Sequence, residues 1–294
     1  MSEAILLPAP SLPAARNRAV MRFLRHRLAV FGLAVIILLI LASVAGPWLL
    51  PFDDLRIDVR SRFTAPFAGA HVLGTDQLGR DLTARLLMAG RISLSVGFAA
   101  MVISVVFGTV VGAVAGYYGR WIGAVLMRIV DAILCFPSVF LLLALAAFIK
   151  PSVPMITVII AATAWMEVAR VVQNQVRSLR ERDFATAALM IGASDATIMF
   201  RELVPNVIGA IVVAATLTVA RAILMESYIS FLGYGIQPPV ASWGNMLNNA
   251  QQYLEKAPWL AIFPGVAITL AVTSFNFIGD GLRDALDPRL AKRI

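Results

Sequence analysis

Six ionisable side chains, Arg128, Asp131, Glu167, Arg221, Glu226 and Asp280, stand inside long apolar runs. A charge at bilayer depth is costly and faces a partner, a cavity or the interface, so these are the positions where a proton relay or solute path is sought. Arg128 and Asp131 lie three residues apart on one helical face and can neutralise each other. Glu167 and Asp280 fall near the ends of their runs, where interfacial placement suffices. Arg221, Glu226 and Asp131 are the candidates for a translocation path, although an interhelical structural pair serves Arg221 and Glu226 equally well.

Other chemistries lack their parts. A phosphate-cradling loop needs Gly-rich backbone followed by Lys-Ser/Thr. The only lysines are Lys150, Lys256 and Lys292, and none follows a Gly or precedes a Ser or Thr. His26 and His71 have no ligand-like neighbours, so neither a metal site nor a His-based catalytic site is expected. Cys135, the single cysteine, lies in an apolar run and excludes an intrachain disulfide. The chain is therefore read as no enzyme, with no cofactor of its own.

The elements that must position these residues are membrane spans. Hydrophobic residues make up 60% of the chain and charged ones 14%, with a mean hydropathy of +0.83. Soluble domains carry about 25% charged residues. The net charge of +8 comes from Arg clusters between apolar runs, the pattern of cytoplasmic loops, without the basic stripe and stacking aromatics of nucleic-acid binding. Residues 1–27 read as an unstructured cytoplasmic tail, basic at its end, before a first span at 28–50. That span is too long for a signal peptide core and is expected to stay uncleaved. A mixed-charge extracytoplasmic loop follows at 51–91, and a five-helix core at 92–281 has spans at 92–117, 122–148, 153–172, 207–233 and 258–281, each near the ~20 residues a bilayer requires. The expected fold is all-α and polytopic, with six transmembrane helices and a basic inner loop at 173–206. Both termini are placed in the cytoplasm, the C-terminal tail being 282–294. Pro137 and Pro264 fit kinked spans.

The inner loop holds the most informative stretch, Glu181 to Asn206. Asp183 is a candidate N-cap for a short helix from Phe184 to Ile191; Gly192 ends it, and Ser194 caps a second run expected to stop before Pro205. A solvated loop has no need of Phe184, Leu189, Met190, Ile191, Ile198, Met199, Phe200 and Leu203. A compact apolar-faced helix pair is expected to be presented to a soluble partner.

Thr186-Ala187-Ala188, then Gly192 and Ala193, then Leu203-Val204-Pro205-Asn206 resembles the Glu-Ala-Ala coupling loop of ABC importer permeases. Four further stretches are similar to the C-type permeases of the dipeptide, oligopeptide and nickel family: GTDQLGRD at 74–81, GYYGRWIGAVLMRIVD at 116–131, ESYISFLGYGIQPPVASWGNML at 226–247 and FNFIGDGLRDALDPRL at 275–290. The resemblance implies a type I permease fold in a bacterial or archaeal cytoplasmic membrane. It also implies a second homologous permease subunit, two ATPase subunits that bind ATP and Mg, and an extracytoplasmic solute-binding protein. In such a system Asp183, Thr186, Ala187, Ala188, Gly192, Ala193, Glu202, Leu203 and Pro205 belong to the ATPase-coupling loop, and Gln237, Pro238 and Trp243 face the solute-binding protein. Thr186 stands where the family usually carries Glu, and Glu202 where it often carries His, so no ionic role passes to either. Di- or oligopeptides are the expected solutes, with nickel or another small conjugate as the alternative. A different class, an ion-coupled transporter or channel built on Arg221, Glu226, Asp131 and Glu167, has no use for the helical inner loop.

Overall fold

The computed structural model describes residues 15–51, 53–148, 151–248 and 250–286. Residues 1–14 of the expected tail, Lys150 and the basic Arg289, Lys292 and Arg293 lie outside them.

Helices α1 (Ala15–Arg25) and α2 (Arg27–Leu49) are separated by His26, whose Nδ1 accepts the Ala29 N–H at 3.1 Å and caps α2. The unstructured tail is thus corrected over Ala15–Arg25, where α1 packs on the last helix and Phe23 joins the central apolar cluster. Between α2 and α3 the chain folds into turns. Asp58 caps a short 3-10 turn there, and hydrogen bonds from the Ser61 hydroxyl and the Arg60 N–H hold its carboxyl below the usual range.

Helix α3 (Leu82–Tyr118) begins ten residues before the expected span, so the loop expected at 51–91 is shorter. Asp81 caps it by accepting the Ala84 N–H at 2.7 Å. The arginines of its first turns are accommodated: Arg85 lies 3.6 Å from Asp76, and Arg91 donates to the Ser43 and Val44 carbonyls at 2.7 and 2.6 Å. At 1.5 Å per residue α3 is about 55 Å long. Its main partner is α6 (Val153–Arg180). Gly108, Gly112 and Gly116 line the contact: a Cβ on each would meet the carbonyl oxygens of Trp165, Ala169 and Gln173 at 2.6, 2.5 and 2.8 Å. Small residues every fourth position let two helix backbones approach in this way.

The expected continuous span 122–148 is instead α4 (Arg120–Leu134) and α5 (Ser138–Phe148), bent by 82° at a break where Pro137 offers no N–H. Among the described residues five helices are long and apolar enough to cross a membrane singly, and up to six spans result if the bent pair counts as one. The protein is an all-α polytopic membrane protein. Helices α7 (Asp183–Met190) and α8 (Asp195–Thr197) follow, and α8 runs through a π-helical turn, Ile198–Leu203, into α9 (Val204–Phe231). The second run therefore does not stop before Pro205. The wider π turn releases the carbonyl that the proline ring would otherwise strike. A short α10 (Trp243–Asn248) precedes α11 (Trp259–Leu286), which carries Pro264 in its interior.

Candidate functional site

The loop between α6 and α9 is shorter than 173–206, because α6 continues to Arg180 and α9 starts at Val204. Asp183 is not the cap of α7; Arg182 occupies that place and Asp183 lies in the first turn, where its carboxylate suits the helix dipole. Gly192 ends the helix at φ +81°, with its N–H bonded to the Leu189 carbonyl and the Ala193 N–H to that of Ala188. Ser194 caps α8, accepting the Thr197 N–H at 3.3 Å.

The apolar residues of this pair divide. Ile198, Met199 and Leu203 are buried, and Ile198 and Leu203 pack with Val168, Val172 and Val207 of α6 and α9. Leu189, Met190 and Ile191 stand 57, 81 and 86% exposed, flanked by exposed Phe184 and Phe200. One side anchors the pair and the other is an unpartnered apolar ridge. Ala188 and Ala193 pack against the anchored side, whereas Thr186, Ala187, Glu202 and Pro205 are exposed. The Tyr117 hydroxyl, at the end of α3, donates to Asp195 at 2.7 Å and ties α8 to the bundle. Local pattern gave no warning of that contact.

A second feature is a cavity of about 350 Å³ between α6 and α9. Glu167 and Arg221 meet in it as an ion pair, with Thr163, Thr218 and Ser138 on the wall. Arg221 is thus matched to Glu167 across two helices. Asp131 pairs with Arg170 at 2.5 Å and not with Arg128. Asp280 is exposed near the end of α11.

Glu226 does not reach this cavity. It is fully buried, and its two carboxyl oxygens accept the hydroxyls of Ser93 (2.9 Å) and Ser230 (2.8 Å). Ser93 in turn accepts the Trp243 N–H at 3.1 Å, and Ser230 accepts the Ile236 N–H at 3.1 Å. Two relays therefore end on one carboxyl and pin both sides of the 234–243 segment to α3 and α9. Trp243 is also buried, its indole N–H donating to the Leu86 carbonyl at 3.1 Å, so it offers no outer surface. Gln237 and Pro238 are exposed, and Gln237 donates to the Gly233 and Gly235 carbonyls. Ser93 and Ser230 went unnoticed in the sequence, where a serine in an apolar helix carries no distinctive signal.

Among the described residues no group of three or more His, Cys, Asp or Glu side chains is arranged to hold a metal ion. The bundle, its exposed helix pair and its charged cavity have the parts of a membrane transport subunit. Residues 108–292 match the family described as the binding-protein-dependent transport system inner membrane component, and the chain belongs to it. Within that class the match narrows to the C-type permease subunits of ABC importers, since residues 16–66 match the N-terminal TM domain of oligopeptide transport permease C. A protein of Brucella suis biovar 1 named as a peptide permease is 44% identical over 285 residues, covering 96% of this chain and 93% of the relative. The oligopeptide transport system permease protein OppC of Haemophilus influenzae is 40% identical over 269 residues, 91% of this chain and 86% of its own. The dipeptide transport system permease protein DppC of Alkalihalophilus pseudofirmus is 41% identical over 266 residues, with 90 and 87% covered.

Proposed function

We propose that this chain forms half of the translocation pathway of an ATP-driven importer of di- or oligopeptides, and that the α7–α8 pair docks on a separate ATPase subunit. The observation that carries the reading is the exposed Leu189-Met190-Ile191 ridge beside a buried Ile198 and Leu203 anchor. Such a ridge loses water-exposed apolar surface only when a partner covers it. In this reading α4 and α5 together make the third of six crossings, the α7 end is cytoplasmic along with both termini, and the other end faces outward. Residues 28–50 form the first span, 51–81 the outer loop and 82–281 the permease core. Asp183, Thr186, Ala187, Ala188, Gly192, Ala193, Glu202, Leu203 and Pro205 make up the coupling loop. The Glu167–Arg221 pair lies on the solute path, with Asp131 near its inner end. Gln237 and Pro238 meet the solute-binding protein. A second, homologous permease completes the pathway, and ATP and Mg bind to two ATPase subunits. The peptide assignment rests on the names of the relatives and extends to nickel or another small conjugate.

The test is to purify the tagged chain in mild detergent and count what accompanies it. A second permease and two ATPases in one-to-one-to-two proportion support the reading. Leu189→Asp with Ile191→Asp should strip the ATPases and leave membrane insertion intact. Gly192→Pro should abolish uptake, because proline holds φ near −65° and position 192 needs +81°. A chain that purifies without an ATPase and supports uptake without ATP returns the ion-coupled alternative; wild-type uptake by the proline variant sinks the coupling assignment.

A further inference from the structure

A cleft of about 470 Å³ opens between α4 and the ends of α3 and α6, at the same end of the bundle as α7. It is lined by Arg120, Arg128, Arg177 and Arg180 against the carboxylates of Asp131 and Glu181. Asp131 is already held by Arg170, and Arg180 donates to the Tyr117 carbonyl at 2.5 Å. Among the described residues no carboxylate pairs with Arg120, Arg128 or Arg177. Four guanidinium groups outnumber the two carboxylates of the cleft, and the three left unpaired call for a further anion; planar forked donors suit phosphate oxygens.

The flank of the same helix supplies the second half of a recognition site. Trp121, Val125 and Ile129 recur at four-residue spacing on α4 and are 73, 49 and 51% exposed. This apolar stripe runs beside the basic face. Trp121 follows the aromatic pair Tyr117 and Tyr118 at the end of α3, where an apolar helix ends and interfacial aromatics concentrate. A molecule with a phosphate at one end and hydrocarbon at the other matches both surfaces at once.

We infer that this cleft binds an acidic phospholipid, its headgroup phosphate on Arg120, Arg128 and Arg177 and an acyl chain along Trp121, Val125 and Ile129. Basic pockets between membrane helices take anionic headgroups through these interactions. The exposed ridge of α7 is apolar and the cleft is cationic, so the two surfaces select different ligands. The site does not depend on the ATPase-docking reading.

The test uses whatever complex the tagged chain recovers. It is reconstituted in nanodiscs holding phosphatidylcholine with one-fifth phosphatidylglycerol, re-extracted, and the retained lipid identified by native mass spectrometry. Wild type should retain phosphatidylglycerol over phosphatidylcholine at a ratio about 5- to 10-fold above the bulk ratio, and Arg120→Gln/Arg128→Gln/Arg177→Gln should fall to the bulk ratio. A second readout serves if that variant folds poorly. Brominated phosphatidylglycerol should quench tryptophan fluorescence of the wild type more than brominated phosphatidylcholine does, and Trp121→Phe should remove the difference. Equal retention by wild type and variant overturns the proposal. So does displacement of the lipid by millimolar inorganic phosphate, which marks a free-anion site. Retention only when the ATPases have been stripped overturns it as well, because the cleft is then a protein interface.

Discussion

Glu226→Gln isolates the serine-bridged pin on the 234–243 segment. The carboxyl accepts one serine hydroxyl on each oxygen, and each serine relays a backbone N–H from the 234–243 segment. Glutamine has nearly the same volume but only one acceptor oxygen, so one of the two hydroxyls loses its acceptor in a site with 0% exposure. A buried hydroxyl left unsatisfied costs about 1–3 kcal/mol. At 1.36 kcal/mol per tenfold, the local opening that frees the segment becomes about 5- to 150-fold more populated. Hydrogen exchange reads this directly, because the amides of Ile236 and Trp243 are the donors at the ends of the relays. Their protection should fall by that factor in the detergent-solubilised complex, while amides around Ala271 of α11 keep theirs. Ser93→Ala combined with Glu226→Gln should cost less than the two singly, as members of one network do. Wild-type exchange at both amides in Glu226→Gln would show that the carboxyl is not the common acceptor, and the pin would be refuted.

Gly112→Val places its first side-chain carbon 2.5 Å from the Ala169 carbonyl, a backbone atom that cannot turn aside, so α3 and α6 must separate. The expected loss is about 1–3 kcal/mol, read as a lower melting temperature in detergent, and an unchanged melting temperature would refute the close approach. Glu167 and Arg221 are about half exposed, so breaking their pair should alter stability by less than about 1 kcal/mol. Uptake is the sensitive assay: Glu167→Arg and Arg221→Glu should each impair it and the double exchange should recover it, whereas equal loss in all three would remove the pair from the solute path.

Local chemistry was legible in the sequence. Gly192 and Ser194 do what their types and neighbours require, because a left-handed turn and a helix cap are settled within four residues. The apolar runs located the long helices, though not all of their bounds. What stayed hidden depends on distant contacts. Arg85 and Arg91 made residues 82–91 look like loop; Arg85 is matched by Asp76 and also donates to the Asp54 carbonyl 31 positions away, and Arg91 reaches the Ser43 carbonyl 48 positions away. The burial of Glu226 and Trp243 is decided by Ser93, 133 and 150 residues distant. Pro137 signals a kink, but neither its 82° nor the packing of α5 on α6 and α9 can be read from neighbouring residues. The four-residue spacing of Gly108, Gly112 and Gly116 was present in the sequence and could have located the α3–α6 contact.

The placement of these features along a single helix bears on how they are coupled. Asp195–Phe231 is one rod of 37 residues, about 55 Å long at helical rise. Its first residue is tied to Tyr117 beside the exposed α7 ridge, its last third carries Arg221 into the charged cavity, and its last turns carry Glu226 and Ser230 into the serine-bridged pin. In the proposed docking arrangement, a shift imposed on α7 therefore needs no chain of side-chain rearrangements to reach the other end. The rod delivers it to the cavity and the pin together. The π turn at Ile198–Leu203 is the one irregular stretch in the rod, and it lies between the α7–α8 pair and everything beyond it. Ile198 and Leu203 bury this turn in the apolar cluster it shares with Val168 and Val172 of α6. In the proposed docking arrangement the coupling path is accordingly a packed joint followed by a continuous helix.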